Sequence, residues 1–415
     1  MVQASLADPL GDESGTDDLV PAVVGLPVET SDWTLADLEA IALQTHPAIE
    51  KQRAAVRAAC GRYQQAGLPL NPIAQYQSQE IGNEDSTGLH SVTVSQPIVT
   101  ANKLGIAQQV RSREVQKEQA RLLAAKLKVT ARVRSSFALA QVAQQRMELT
   151  QTIWDLSQKA ESSVEGLVSA GQASRLALLQ ARVETEKARI QFENAEAKHH
   201  ASLRSLAAAV GDPVIAYDRL AGELPVPTTG PPWDQLLDQI GEASPEISLA
   251  GSELARARWA LKLACAQVVP NVTGQAGVGY DSATDDTFAV IGISVPLPVR
   301  NRNQGNIRSA RADMVAAAAA IDETRLSLEG RMAESVGRYQ MAQQRYSRMS
   351  ELMVPAAEEA YDLASKAFEA GEIDYLQLLT AQRTLFDTRL TLLEAIGQAA
   401  VASAEIETLL VGMTF

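Results

Sequence analysis

The chain has 415 residues, of which only 4% are aromatic, and alanine tracts such as Ala316 to Ala320 stand where a large compact core needs bulky side chains. Extended helical packing is therefore expected in place of two or three globules. Fifty acidic residues against 37 basic ones give a formal net charge of -13 with no Lys/Arg stripe, which excludes a nucleic-acid surface, and the lack of any 18-residue apolar run excludes a transmembrane helix.

Residues 1 to 31 are acidic, carry Pro9, Pro21 and Pro27, and follow neither helical nor strand period, so they read as a strap or disordered arm. They contain no basic stretch followed by an apolar one, and no signal peptide is read in this sequence. From Asp32 the pattern turns helical: Thr34 with Asp37 offers a cap, and Leu35, Leu38, Ile41, Ala42, Ile49 and Val56 keep helical spacing up to Gly67. A hairpin is predicted over 72–97, with a turn rich in Gly82, Asn83, Asp85, Ser86 and Gly88. After Pro97 and Gly105 comes a long helix with the seven-residue series Val133, Ala140, Met147, Trp154, then a glycine turn at Gly171 and a return helix carrying Leu176, Leu179, Val183 and Ile190. Residues 211–232 hold five prolines and read as a linker.

The same order is then written again over 233–412. Trp233, Leu236, Leu237, Ile240, Ile247 and Leu254 repeat the first helix, and 270–296 repeats the hairpin. The run P-L-P-V-R-N-R-N-Q-G-N-I, with Pro296, Pro298 and Gly305, leads into a second long helix with Ile307, Met314, Ile321 and Leu328, which Pro355 is expected to kink or break. Gly371 turns the chain into a helix with Leu376, Leu379, Phe386, Leu390 and Leu393, and 413–415 close it. The offsets agree: 198 positions separate Pro47 from Pro245 and Pro72 from Pro270, and 200 separate Gly105 from Gly305 and Gly171 from Gly371. Such constancy marks an internal duplication. The fold class is thus mainly α with two β-hairpins, each strand roughly 8 to 10 residues, the reach of a membrane-spanning β-strand.

No phosphate loop, zinc spacing or nucleophile elbow occurs, so neither an enzyme nor a cofactor or metal site is expected. Cys60 and Cys265 read as small buried packing residues, and His46, His90, His199 and His200 as solvent-facing. Gly277, Gly279 and Gly292 fall inside strand patterns, where close backbone approach or curvature explains them. Arg300 and Arg302 read as a polar belt where the chain leaves a membrane interface, or else as a lipid or anion patch.

The P-L-P-V-R-N-R-N-Q-G-N-I segment at 296–307, A-G-E-I-D-Y-L-Q-L-L-T-A-Q at 370–382 and the duplicated order together resemble the TolC-type outer-membrane factors of tripartite efflux systems, the former motif especially their metal-exporting, CzcC-like branch. The resemblance spans roughly residues 33 to 412. It implies a homotrimer whose twelve strands close one β-barrel in outer-membrane lipid and continue into a periplasmic tunnel of helices, a passive exit duct serving an inner-membrane pump through a periplasmic adaptor. It implies adaptor contact at the tips, at Leu167, Ser169, Gly171, Phe368 and Gly371, and strand-to-helix junctions at Pro97, Gly105, Pro296, Pro298 and Gly305. The family's constriction carries aspartates six and nine residues beyond the second tip glycine; this chain has Gln377 and Thr380 there, with Glu372 and Asp374 nearer the turn. Arg175 and Asp374, at like heights on neighbouring tips, form a candidate latch. Competing readings are a soluble antiparallel coiled-coil scaffold and a metal-binding periplasmic protein.

Overall fold

The computed structural model describes residues 33–82, 88–212, 220–222, 226–228 and 244–409. The N-terminal arm, most of the linker, the first hairpin turn and the segment bearing Trp233, Leu236, Leu237 and Ile240 lie outside these residues.

Each repeat opens with a capped helix. Thr34 and Asp37 form a reciprocal capping box at the start of α1 (Leu35–Thr45). Helix α2 (Pro47–Gly67) and its counterpart α5 (Pro245–Ala266) both place a proline in the first turn behind a capping side chain, His46 or Ser244. A proline costs nothing there because its missing N–H has no helical partner, which explains why Pro47 and Pro245 survive as landmarks of the duplication. Between the α helices sit β1 (Ile73–Gln79), β2 (Leu89–Ile98), β3 (Val272–Asp281) and β4 (Asp286–Ser294).

Helix α3 (Lys103–Ser169) runs unbroken for 67 residues, about 100 Å at the usual rise, and α4 (Arg175–Val210) returns along it. The second copy differs. Helix α6 (Gln304–Arg348) passes through one π turn, Met349–Met353, into α7 (Val354–Glu369), and α8 (Tyr375–Leu409) returns. Pro355 therefore does not break the helix. The wider turn immediately before the proline accommodates the missing N–H and the clash of its ring with the preceding turn.

Both seven-residue series lie on packed faces. Val133 and Ala140 are fully buried with Phe137, Leu206 and Val210 in one core, joined by Leu38 and Ile49 from the opening helices. Leu328, Met332, Val336 and Tyr339 build the equivalent core with Ala399, Ala402 and Ile406 of α8. Alanine on the facing helix lets backbones approach closely, which is why a chain so poor in aromatics holds together. The linker is not slack where it is described. Leu220 bridges Trp33, the Gln141 amide donates to the carbonyls of Ala221 and Gly222 at 3.2 and 3.1 Å, and the Tyr339 hydroxyl donates to the Thr228 carbonyl at 2.8 Å. It thus ties α3 of one repeat to α6 of the other.

The four strands form one antiparallel sheet in the order β1-β2-β3-β4. The two hairpins are therefore joined within the chain by the β2–β3 ladder, with Val92 opposite Val278 and Val94 opposite Ala276. Two smaller expectations are corrected: Cys265 is exposed and Cys60 half-buried, both with free thiols, and His199 is buried at 6% exposure because its stripe on α4 faces α3.

Candidate functional site

The sheet sorts its side chains by chemistry. Because strand residues alternate sides, the register places Tyr76, Val92, Val94, Val278, Ile291 and Ile293 on one face, every one of them more than half exposed. The opposite face carries Gln75, Gln77, Ser91, Thr93 and Gln275. Gly277 belongs to it for a steric reason: a Cβ there would meet the Val92 carbonyl oxygen at 2.1 Å. Gly279 likewise makes room for the ring of Phe288, which lies across it. Near the hairpin turns the apolar face becomes aromatic: the Tyr76 and His90 rings stack at 6.1 Å, with Tyr280 paired opposite His90. An apolar outside, a polar inside and an aromatic end form the dyad pattern of a strand set in lipid.

The strand-to-helix junctions lie at the other end. Pro97 occupies the end of β2, opposite Thr273, whereas Pro296 and Pro298 follow β4, where no ladder donor is required. Gly105 and Gly305 both fall within the first helical turn, and the chain is turned by left-handed Ala101, Asn102 and Asn303. The first junction is tied down: the Lys103 ammonium donates to the Val269 carbonyl and to Asn271 Oδ1, and the Thr100 hydroxyl donates to the Pro270 carbonyl at 2.6 Å. The second is held by the Asn303 amide, which donates to the Ala264 carbonyl at 2.8 Å.

At the far end the tips are built alike. The Gln172 N–H donates to the Leu167 carbonyl at 2.8 Å and the Gly171 N–H to that of Val168 at 3.0 Å; Glu372 to Ala367 at 2.9 Å and Gly371 to Phe368 at 3.0 Å repeat the pattern. These are Schellman turns, and the two glycines, at φ of 71° and 75°, supply the left-handed residue each requires. Ser169 is exposed, and Phe368 tilts against Tyr375 at 6.3 Å. Ser174 then caps α4, and Asp374 caps α8 by accepting the Gln377 N–H at 3.0 Å. Asp374 is thus engaged with its own helix, and within one chain Arg175 makes no ion pair among the described residues. Glu372, Gln377 and Thr380 are exposed at the same tip, the Thr380 hydroxyl donating to the Leu376 carbonyl at 2.8 Å.

Other pairs hold the assembly of helices together. Arg383 of α8 reaches Glu184 of α4, its Nε donating at 3.2 Å, and so ties the two tip hairpins to each other; Lys187 adds a second contact at 2.9 Å. Burial acts to raise the Glu184 carboxyl, but Arg383 and Lys187 carry it below its ordinary value. Higher up, Arg134 on α3 donates to Glu39 of α1 at 2.5 Å and to Glu407 of α8 at 2.7 Å, and Glu253 of α5 accepts from Lys117 of α3 and from Arg256. Arg256 and Lys117 hold the Glu253 carboxyl down to about 2 against its burial. Sequence reading did not identify the pairs between helices, since partners 95 to 273 positions apart leave no local pattern. It also missed the unpartnered buried Nδ1 of His199, whose ring burial and the adjacent His200 keep below the ordinary histidine range.

A duplicated chain with a two-faced sheet at one end and paired helical tips at the other, its long helices alanine-packed between them, defines an elongated channel subunit in class. Known proteins agree. The family model described as "Outer membrane efflux protein" matches residues 39–212 and again 236–412, one match for each repeat, and the chain belongs to that family. It is accordingly an efflux component of the outer membrane, an exit duct and not an enzyme. The cobalt-zinc-cadmium resistance protein CzcC of Cupriavidus metallidurans is 28% identical over 78% of this chain and 78% of its own. The nickel-cobalt-cadmium resistance protein NccC of Alcaligenes xylosoxydans xylosoxydans is 25% identical over 68% of this chain and 64% of its own. A crystal structure of CusC, described in connection with folding and transmembrane channel formation, superimposes with a TM-score of 0.75 at 19% identity, covering 92% of this chain and 93% of that one.

Proposed function

We propose that three copies of this chain close a twelve-stranded barrel in the outer membrane and continue it as a tunnel of helices, through which an inner-membrane pump and a periplasmic adaptor expel divalent transition-metal cations. The observation that carries the barrel is the sheet itself. One face is apolar and exposed, the other polar, and among the described residues β1 and β4 each keep one edge unpaired within the chain. Open edges cannot persist in lipid, where every backbone group needs a partner, so the edges require further copies, and three chains of four strands satisfy them. The polar face then lines a lumen of amides and hydroxyls that passes hydrated ions without holding them. The metal class of the cargo rests on the names of the relatives above.

The tips at Leu167, Ser169, Gly171, Phe368 and Gly371 lie at the end away from the strands and meet the adaptor; the constriction is made by the ring of Glu372, Asp374, Gln377 and Thr380 with Arg175. The test of assembly is the mass of the detergent-solubilised particle. Three times the 44.4 kDa chain is expected, with retention in the membrane pellet after alkaline carbonate; a monomer released by carbonate refutes the barrel. The test of cargo is intracellular zinc and cobalt in cells lacking the chain, which should rise and return to normal on re-expression.

A further inference from the structure

The second strand-to-helix junction carries two cations for which the fold provides no partner. Arg300 and Arg302 are exposed, and neither guanidinium makes a hydrogen bond or ion pair among the described residues, unlike Arg57, Arg134, Arg338 and Arg389 of the helices, which are engaged with glutamates. The first repeat has nothing comparable. Its corresponding run, Ile98 to Asn102, is free of cations, and the lysine that follows is folded inward onto Val269 and Asn271. The difference is one of surface chemistry and not of turn geometry, since both junctions turn through a left-handed asparagine.

What leads up to these arginines is an outward row of apolar residues. Ile291, Ile293, Val295, Leu297 and Val299 are exposed by 84, 78, 42, 78 and 72%, so an exposed apolar residue stands at every second position from β4 through the five residues beyond its last ladder pair. From Thr287, opposite Tyr280 at the aromatic end, to Leu297 the chain advances ten residues, about 33 Å at the rise of an extended strand. Tilted as barrel strands are, that is about 25 Å of height, the thickness of the apolar band. The chain turns just after Leu297, where the Val299 N–H donates to the Leu297 carbonyl at 2.9 Å. Arg300 and Arg302 therefore fall at headgroup depth on the periplasmic side.

We propose that Arg300 and Arg302 bind the phosphate of anionic phospholipids in the periplasmic leaflet of the outer membrane. The inference rests on the barrel reading and adds a ligand to it. A guanidinium presents paired N–H donors that match two phosphate oxygens, is more weakly hydrated than an ammonium and keeps its charge. Leu297 and Val299 beside it offer apolar contact to the acyl chains. With two such cations in each copy the duct would carry a basic collar at its periplasmic waist, fixing its depth in the bilayer.

The experiment is native mass spectrometry of the full-length chain in non-ionic detergent with equimolar dioleoyl-phosphatidylglycerol and dioleoyl-phosphatidylcholine. Wild type should retain the anionic phosphatidylglycerol in roughly five-fold excess or more, and excess inorganic phosphate should not displace it. In the Arg300→Gln, Arg302→Gln double variant the two lipids should be retained equally, while Lys103→Gln, which alters the inward-folded cation of the first junction, should keep the preference. Equal retention by wild type, a preference that survives in the double variant, or displacement by inorganic phosphate overturns the proposal. So does a double variant that runs as a monomer, since the arginines then belong to the subunit seam. Wild-type particles that conduct in planar bilayers yet show no lipid preference refute this inference alone; a chain that neither trimerises nor inserts refutes the barrel, and this proposal with it.

Discussion

Replacing Ile291 with arginine, and separately Val290, asks whether the sheet stands in lipid. Ile291 lies on the apolar face, opposite Ala276 and 84% exposed, while its neighbour Val290 lies on the polar face, opposite Gly277 and half-buried. Both sit near the middle of the row from Thr287 to Leu297, so they share one depth. An arginine facing lipid near the bilayer midplane costs about 2 to 4 kcal/mol. At Val290 the same side chain extends over a glycine into a lumen of glutamines and threonines, where water reaches it, and the cost expected there is below about 1 kcal/mol, as for surface substitutions away from special features. In the proposed trimer each change enters three times, which widens the gap between the two variants. Denaturant titration of particles refolded into phosphatidylcholine vesicles, read by the heat-sensitive electrophoretic mobility of the assembled form, measures it. Equal losses at the two positions, or a larger loss at Val290, would mean that the faces are not lipid and lumen, and the barrel would fall with them.

Four further outcomes are expected. Gly371→Leu places a branched side chain at a φ of 75° with open space around its Cβ, so the strain of about 1 to 2 kcal/mol stays in the tip: trimers should persist on gels while metal resistance of cells is lost. The two halves of the chain predict the seam between subunits. Advancing β2 by 199 and setting β3 back by 200 turns the pair Val94↔Ala276 into Ile293 opposite Tyr76 of the next copy, so Tyr76→Cys combined with Ile293→Cys should yield disulfide-linked trimers under mild oxidation, and a Tyr76→Cys, Gly292→Cys combination should not. Glu253, held at about 2 in the folded chain against an ordinary glutamate value of about 4.5, contributes stability that is full above about pH 4.5 and vanishes as the pH falls toward 2; thermal midpoints of wild type and Glu253→Gln should therefore separate at neutral pH and converge in acid. Arg134→Ala removes the arginine partner of Glu39 and one contact of Glu407 and should lower stability by about 1 to 3 kcal/mol as read by urea unfolding, with Glu39→Gln restoring part of the loss.

The order of elements was legible because local signals fixed it. Proline in the first turn of α2 and α5, glycine with the left-handed conformation at both tips, and the seven-residue rows all act through chemistry confined to one or two turns. What could not be read depends on partners far along the chain. The β2–β3 ladder that makes one sheet of two hairpins, the Glu184–Arg383 contact between tips and the Arg134 bridge all join positions with no shared pattern. Pro355 gave a true signal with an ambiguous outcome, since both a kink and a π turn relieve the same missing N–H. His199 looked like any helical histidine, and only the course of α4 along α3 buries it. For the candidate latch, Asp374 has a partner in the N–H of Gln377 and pairs with no arginine among the described residues of its own chain.

The ladder between β2 and β3 also bears on how the molecule forms. Thr93 pairs with Gly277, and everything between them, including the whole of α3 and α4, must be made and gathered before that contact can exist. Contacts so distant in sequence form late, because the entropy of closing the intervening chain is lost before the pairing rewards it. The first hairpin, with only β1 and β2, is too small to persist alone in water. Helices made of local contacts therefore assemble first and carry the two hairpins to each other. The apolar face of the sheet is therefore gathered into one continuous surface only late, once the helical body already exists.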